Sequence, residues 1–233
     1  MKFGKIALII IGIGLLIFAG RSLLKGQPVV CDYTGERVLY SITPAGKSEY
    51  KDFGIVDLNG TKANLAVFKT KVLLFEDTEK IYSDPRTLLP YRVEREIYNM
   101  GVKEFIIEEY DQANFTVTMK KYRGGTLMRE WKTKTSGPIH NAIMLPFYLR
   151  QCPDLCVGWQ FTARFPDEFK LELASIDNIT VPAGEFQAYH FKSSPERFEI
   201  WISKDDAAVP LKIKGTGIFP YALLMEERNF QKS

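Results

Sequence analysis

The chain has 233 residues, 45% hydrophobic and 25% charged, which is enough apolar material for one sizeable core and too much for a disordered chain. Its formal charge of +3 rests on Lys2, Lys5, Arg21 and Lys25; without these four the remainder stands at −1. A near-neutral domain lacks the concentrated basic surface that a phosphate backbone requires, so nucleic acid is excluded as a partner.

The chain opens on a charged pentapeptide followed by the apolar run Ile6 to Gly20. This is the pattern of an export segment. As a helix it would reach about 22 Å at about 1.5 Å per residue, and Phe3, Leu23 and Leu24 can extend it toward the roughly 30 Å of a hydrocarbon core. Phe18-Ala19-Gly20 does not place small residues at both cleavage positions, so an uncleaved anchor over residues 1–24 is expected, followed by a tether at 25–34 and a single domain at 35–233. Basic residues flank both ends of the span and leave its orientation unspecified. Export of the domain is expected, because no second span follows. Cys31 lacks the residues that normally precede a lipidated cysteine and reads as a plain thiol near the membrane.

From Glu36 to Thr43 the sequence alternates, with Val38, Tyr40 and Ile42 on one face, and predicts a first strand. Phe53 to Leu58, Ala63 to Phe68 and Lys71 to Phe75 read as short strands broken at Asn59-Gly60 and Lys69-Thr70. Ser83-Asp84-Pro85-Arg86 turns the chain into Leu88 to Ile97, and Lys103 to Tyr110, Phe115 to Lys121 and Leu127 to Thr133 complete the N-terminal series.

The rhythm changes between Ile139 and Gln151, where an almost continuous apolar run predicts a helix, stopped by Cys152-Pro153 and kinked or divided at Pro146. Trp159 to Arg164 and Phe169 to Ser175 return to strand chemistry. Residues 179 to 214 then read as a three-strand meander. Its apolar faces carry Phe186, Ala188 and His190, then Phe198, Ile200 and Ile202, then Val209, Leu211 and Ile213. Ile218 to Met225 is the last predicted strand.

The order Val181-Pro-Ala-Gly-Glu-Phe186, Ile200-Trp-Ile-Ser203 and Val209-Pro-Leu-Lys212 resembles a bacterial domain-of-unknown-function family, number thirty-one-oh-eight. Gly35 to Tyr40 and Leu88 to Arg95 are similar to it as well, so the likeness spans roughly residues 33 to 227. The resemblance implies an exported, β-rich domain related to the curved half-barrel of periplasmic lipoprotein carriers. It brings no established catalytic residues with it. The Cys152-x3-Cys156 segment is not assignable to the shared pattern.

The expected fold is mainly β: a large curved antiparallel sheet or half-barrel with a short helical cover, behind an N-terminal membrane helix. Cys152 and Cys156 are expected to form a local disulfide in an oxidising periplasm, with free thiols or a metal pair as the other readings. His190 reads as a half-buried, satisfied histidine whose partner the sequence does not name, and no nucleophile, metal cluster or cofactor motif stands near it. The expected protein is therefore non-enzymatic, needs no cofactor, and sits at the bacterial inner membrane with its domain in the periplasm. It would bind a lipid, lipoprotein or other hydrophobic ligand in a groove lined by Ile143, Met144, Phe147, Tyr148 and Leu149. The same apolar helix could instead simply fill the core. The competing function is a pocketless module that binds an envelope protein partner.

Overall fold

A computed structural model of the protein describes residues 33–216 and 220–230. The expected anchor and most of its tether lie outside them. Among the described residues no helix is long and apolar enough to cross a membrane.

Among the described residues fourteen strands and one short helix follow in chain order. The first eight are β1 (Glu36–Thr43), β2 (Lys47–Leu58), β3 (Thr61–Val72), β4 (Phe75–Ser83), β5 (Pro90–Asn99), β6 (Val102–Asp111), β7 (Thr116–Arg123) and β8 (Thr126–Lys134). Helix α1 (Leu145–Leu149) lies in the long connection to β9 (Gln160–Arg164). Then come β10 (Glu168–Val181), β11 (Gly184–Ser194), β12 (Phe198–Ser203), β13 (Pro210–Gly215) and β14 (Tyr221–Phe230).

All fourteen belong to one antiparallel sheet in the order β8-β7-β6-β5-β4-β3-β2-β1-β14-β13-β12-β11-β10-β9. Two meanders are thus joined at their middle by a ladder between β1 and β14, in which Glu36 stands opposite Phe230 and Thr43 opposite Ala222. The sheet does not close, since β8 and β9 are its two margins.

The core divides into two clusters, and α1 feeds both. Met144 and Phe147 pack with Tyr40, Tyr50, Ile81 and Val93 from the first meander. Leu145 and Leu149 pack with Leu171, Phe191, Ile200 and Ile202 from the second. A five-residue helix that touches both halves requires the sheet to curl around it.

Three departures from the sequence reading have local causes. The predicted break at Lys69-Thr70 falls inside β3; the chain reverses at Leu73-Leu74 instead, where Leu73 adopts φ 50° and is 84% exposed. Two leucines give no turn signal, so β4 was hidden. The strand predicted to end at Ser175 runs on to Val181 through a bulge between Leu173 and Ser175. The helix predicted over 139–151 is confined to Leu145–Leu149. The Asn141 side chain accepts the N–H groups of Ile143 and Met144 at 2.9 and 3.1 Å and holds that stretch in a turn. Pro146 then falls in the helix's first turn, where its missing N–H costs nothing, so it starts the helix rather than kinking it.

A recess beneath the helical crossover

The segment from β8 to β9 is pinned at both ends. Gln112, in the β6–β7 turn, donates to the carbonyls of Pro90 and Ile139 at 3.0 and 2.9 Å and accepts from the Ile139 N–H at 3.0 Å. His140 donates its N–H to the Arg164 carbonyl at 2.8 Å and accepts the Arg164 N–H on Nδ1 at 3.2 Å. At the far end, Arg150 grips Glu36 of β1 with Nη1 and Nη2, at 2.9 and 2.6 Å. Arg228 of β14 donates to the same carboxylate at 2.7 Å. The Glu36 and Arg150 side chains are 0% and 1% exposed. This buried ionic knot therefore ties the helix end to the seam between the meanders.

Beside the knot lies a recess of about 290 Å³, walled by Tyr33, Tyr50, Ile55, Leu88 and Phe147, with Asp52, Asn64, Arg150 and Gln151 as its polar lining. Tyr50 and Phe147 stack at 3.7 Å between ring centres. The Arg150 guanidinium lies over Tyr33 at 3.4 Å. A β-bulge shapes the mouth: β2 spends Phe53 and Gly54 between Asp52, opposite Ala66, and Ile55, opposite Asn64. Gly54 has φ +73°, and a Cβ there would meet the Thr34 hydroxyl at 2.6 Å, so only glycine fits. Its N–H donates to Asp52 Oδ1 at 2.7 Å and Asn64 donates to Oδ2 at 3.1 Å. Burial nevertheless holds the Asp52 carboxyl above its ordinary range, outweighing those bonds. The Arg150 Nε and Gln151 Oε1 atoms are buried with no hydrogen-bond partner.

A second recess, of about 260 Å³, adjoins the segment before the helix and is lined by Ile143, His140, Tyr110, Glu79, Glu108 and Arg95 among others. Arg95 also pairs with buried Asp77 and lies 3.3 Å from Glu79. Burial pushes Glu79 up to about 7, Arg95 opposing and Asp77 and Glu108 adding to it. Burial, helped by Arg164, pulls His140 down to about 4.

These two groups give opposite pH slopes. Between about pH 4.5 and 7 folded Glu79 keeps a proton that the unfolded chain releases, so stability falls as pH rises. Between about 4 and 6.5 the unfolded chain protonates His140 while the fold does not, so stability is lost as pH falls. Each slope is at most about 1.4 kcal/mol per pH unit, and they offset each other where they overlap. Urea titrations across that window should therefore show Glu79→Gln with a more positive dependence on pH than the parent, and His140→Gln with a more negative one. Superimposable slopes for all three proteins would contradict both assignments.

His190 is 6% exposed and clamped: Nε2 meets Glu199 Oε2 at 2.7 Å, Nδ1 meets Asp177 Oδ2 at 2.9 Å, and the ring stacks on Trp201 at 4.1 Å. Its partners are thus two carboxylates, Asp177 from β10 and Glu199 from β12, where the sequence named none. Ser175 Oγ lies 3.3 Å from the same Nδ1, farther than Asp177, and also hydrogen-bonds Asp177. Ser175 and Glu199 thus lie on opposite ring nitrogens, as the hydroxyl and orienting carboxylate of a serine triad do, but Asp177 shares Nδ1 with the hydroxyl and holds it at the shorter distance.

Among the groove residues read from sequence, Ile143 and Phe147 line the two recesses. Met144, Phe147 and Leu149 are 1%, 2% and 0% exposed and belong to the core, while Tyr148 is half-buried against His140 and Phe161. Cys152 and Cys156, expected to form a local disulfide, flank the turn after α1. The Cys152 thiol turns back along the helix to the Tyr148 carbonyl at 3.7 Å, as its position four residues later allows, and Cys156 is exposed. Among the described residues no group of three or more His, Cys, Asp or Glu side chains is placed to hold a metal ion.

Sequence reasoning missed Glu36, Asp52, Arg150, Gln151 and Glu79. The available signal was a charged residue within an apolar context: Arg150 directly follows the helical run, and Glu36 opens a strand beside Val38 and Tyr40.

No curated protein sequence matches the chain. Among solved structures it is similar to a β-barrel-like protein of domain of unknown function DUF1849 from Brucella abortus. That match has 8% identity and a TM-score of 0.54, and covers 89% of this chain and 100% of the other. An exported protein of YmcC-like fold from Bacteroides fragilis overlaps more loosely, with 8% identity, coverage of 88% and 100%, and a TM-score of 0.36. At such identity the first likeness speaks for the barrel-like fold alone. The family described as "Protein of unknown function (DUF3108)" matches residues 56–218, and the chain belongs to it.

Proposed function

We propose that the protein is a non-catalytic binding protein of the bacterial envelope, held at the inner membrane by its N-terminal segment, with the domain in the periplasm. It takes the apolar part of a lipid, lipoprotein or similar ligand into the recess beside Phe147. The observation that supports this reading is incomplete filling. The sheet curls around α1, yet about 290 Å³ remains beside an aromatic wall of Tyr33, Tyr50 and Phe147. That volume lies near the lower end of small-molecule sites, which run from about 300 to 1,000 Å³. It suits a short apolar stretch or a chain end rather than a whole diacyl lipid. Six buried methylenes would contribute about 5 kcal/mol before association costs, at about 0.8 kcal/mol each.

Native mass spectrometry of residues 30–233, purified from an envelope fraction without detergent, tests the reading. A near-stoichiometric apolar adduct, released by solvent extraction, is expected. A folded domain of unmodified mass would sink it.

That second result would favour an interaction module, a reading with its own support. The β3–β4 and β5–β6 reversals lie at one end of the sheet and expose Leu73, Leu74, Met100 and Val102 by 84%, 65%, 77% and 42%. Apolar tips of this kind are rare without a partner.

A further inference from the structure

The recess beside Phe147 also has a polar end, and its chemistry is specific. Arg150 directs two nitrogens to Glu36 and retains Nε–H, a donor with no acceptor; Gln151 presents Oε1, an acceptor with no donor. Both residues line the recess and are more than nine-tenths buried. An unmatched donor and an unmatched acceptor on adjacent residues are each costly to leave buried, and one group that offers both a carbonyl and an N–H satisfies the two together. Charge narrows the class further. The guanidinium groups of Arg150 and Arg228 both bond the Glu36 carboxylate, and the Asp52 carboxyl lies close enough to feel the charge of Arg150, so two carboxyls stand against two guanidiniums and no unbalanced charge is left to recruit an ion. Planarity agrees as well, because flat groups already stack here, Arg150 on Tyr33 and Tyr50 on Phe147.

We infer that this recess recognises the neutral carboxamide of an apolar ligand, its carbonyl accepting from Arg150 Nε–H and its N–H donating to Gln151 Oε1. The inference rests on the binding function proposed above and adds the polar group that the ligand bears. Neither atom meets solvent in the empty recess, so the flexible Gln151 side chain rotates as the amide enters and the Arg150 guanidinium, still bonded to Glu36, turns its Nε edge toward it. Amide-linked acyl chains and apolar peptide segments both belong to this class; simple esters and free fatty acids do not.

The test uses the full-length protein in lipid nanodiscs with three probes of matched chain length: hexanamide, its isostere methyl pentyl ketone, and hexanoate. Hexanamide is expected to bind at least about tenfold more tightly than the ketone, which leaves Gln151 Oε1 unpaired, and to move the Arg150 Nε–H resonance. Gln151→Met should bring hexanamide down to the level of the ketone while the Arg150 resonance of the free protein stays in place. Ile55→Trp, at the 55% exposed rim of the recess, should weaken both neutral probes. If hexanamide and ketone bind alike and Gln151→Met changes nothing, the amide inference fails and the apolar recess stands. If none of the three binds, the binding function fails with it.

Discussion

Replacing Arg150 by Met is expected to destabilise the fold by about 3–5 kcal/mol, the range seen when one partner of a buried ion pair is removed. Glu36 is 0% exposed and has no route to water. Without Arg150 it keeps a single contact, from Arg228 at 2.7 Å, and the connection that carries α1 loses its tie to β1. Glu36→Leu should be as damaging, because Arg150 is then the stranded charge. The double variant Glu36→Leu/Arg150→Met should recover much of the loss, since a packed apolar pair replaces two ions and Arg228, with a side chain 18% exposed, can turn to solvent. Urea unfolding of the four proteins closes the cycle. Single variants within about 1 kcal/mol of the parent would show that the knot is solvated.

Phe147→Ala should cost a similar amount, about 3–5 kcal/mol for a large aromatic truncated in a core. In a chain of this size that lowers Tm by roughly 10 °C. The ring stacks on Tyr50 at an interplanar angle of 16°, is 2% exposed and lies between α1 and the first meander. Phe147→Leu keeps most of the volume and should lose less than half as much. Met144→Asp or Phe147→Asp would bury an unpaired charge at 1% or 2% exposure and unfold the domain, so neither change can separate ligand binding from folding. Thermal melts decide the matter: a Phe147→Ala protein that melts with the parent would mean that the ring belongs to a loose lid.

Architecture was largely legible because strand periodicity is a local signal. Glu36–Thr43 has the limits that alternation of Val38, Tyr40 and Ile42 implies, and Asp111 to Asn114 and Gly124-Gly125 mark their turns by composition. The reading failed where local chemistry and tertiary role diverge. Leu73-Leu74 makes an apolar turn, and in the apolar run before the helix the Ile143 and Met144 N–H groups go to the Asn141 side chain rather than to backbone carbonyls a helix would offer. The site was less legible for a further reason. Its polar groups meet across 114 residues in the case of Glu36 and Arg150 and 192 in the case of Glu36 and Arg228, and no spacing in the sequence records such a meeting. The aromatic wall was half visible: Phe147 stood out in its apolar run, whereas Tyr50 was an unremarked residue between strands read as separate.

The ladder between β1 and β14 has a consequence for the order of assembly. A ribosome releases β14 after the other thirteen described strands, yet β14 belongs in the middle of the sheet, between β1 and β13. Until it arrives, the nascent chain holds two partial sheets, and the β1 and β13 edges that will flank β14 are open to wrong partners. The connection bearing Arg150 emerges before Arg228, so it can dock on β1 early and hold Glu36 while the seam is still open. Loss of a few residues from the 221–230 segment would accordingly split the molecule at its centre, whereas trimming β8 would only narrow a margin.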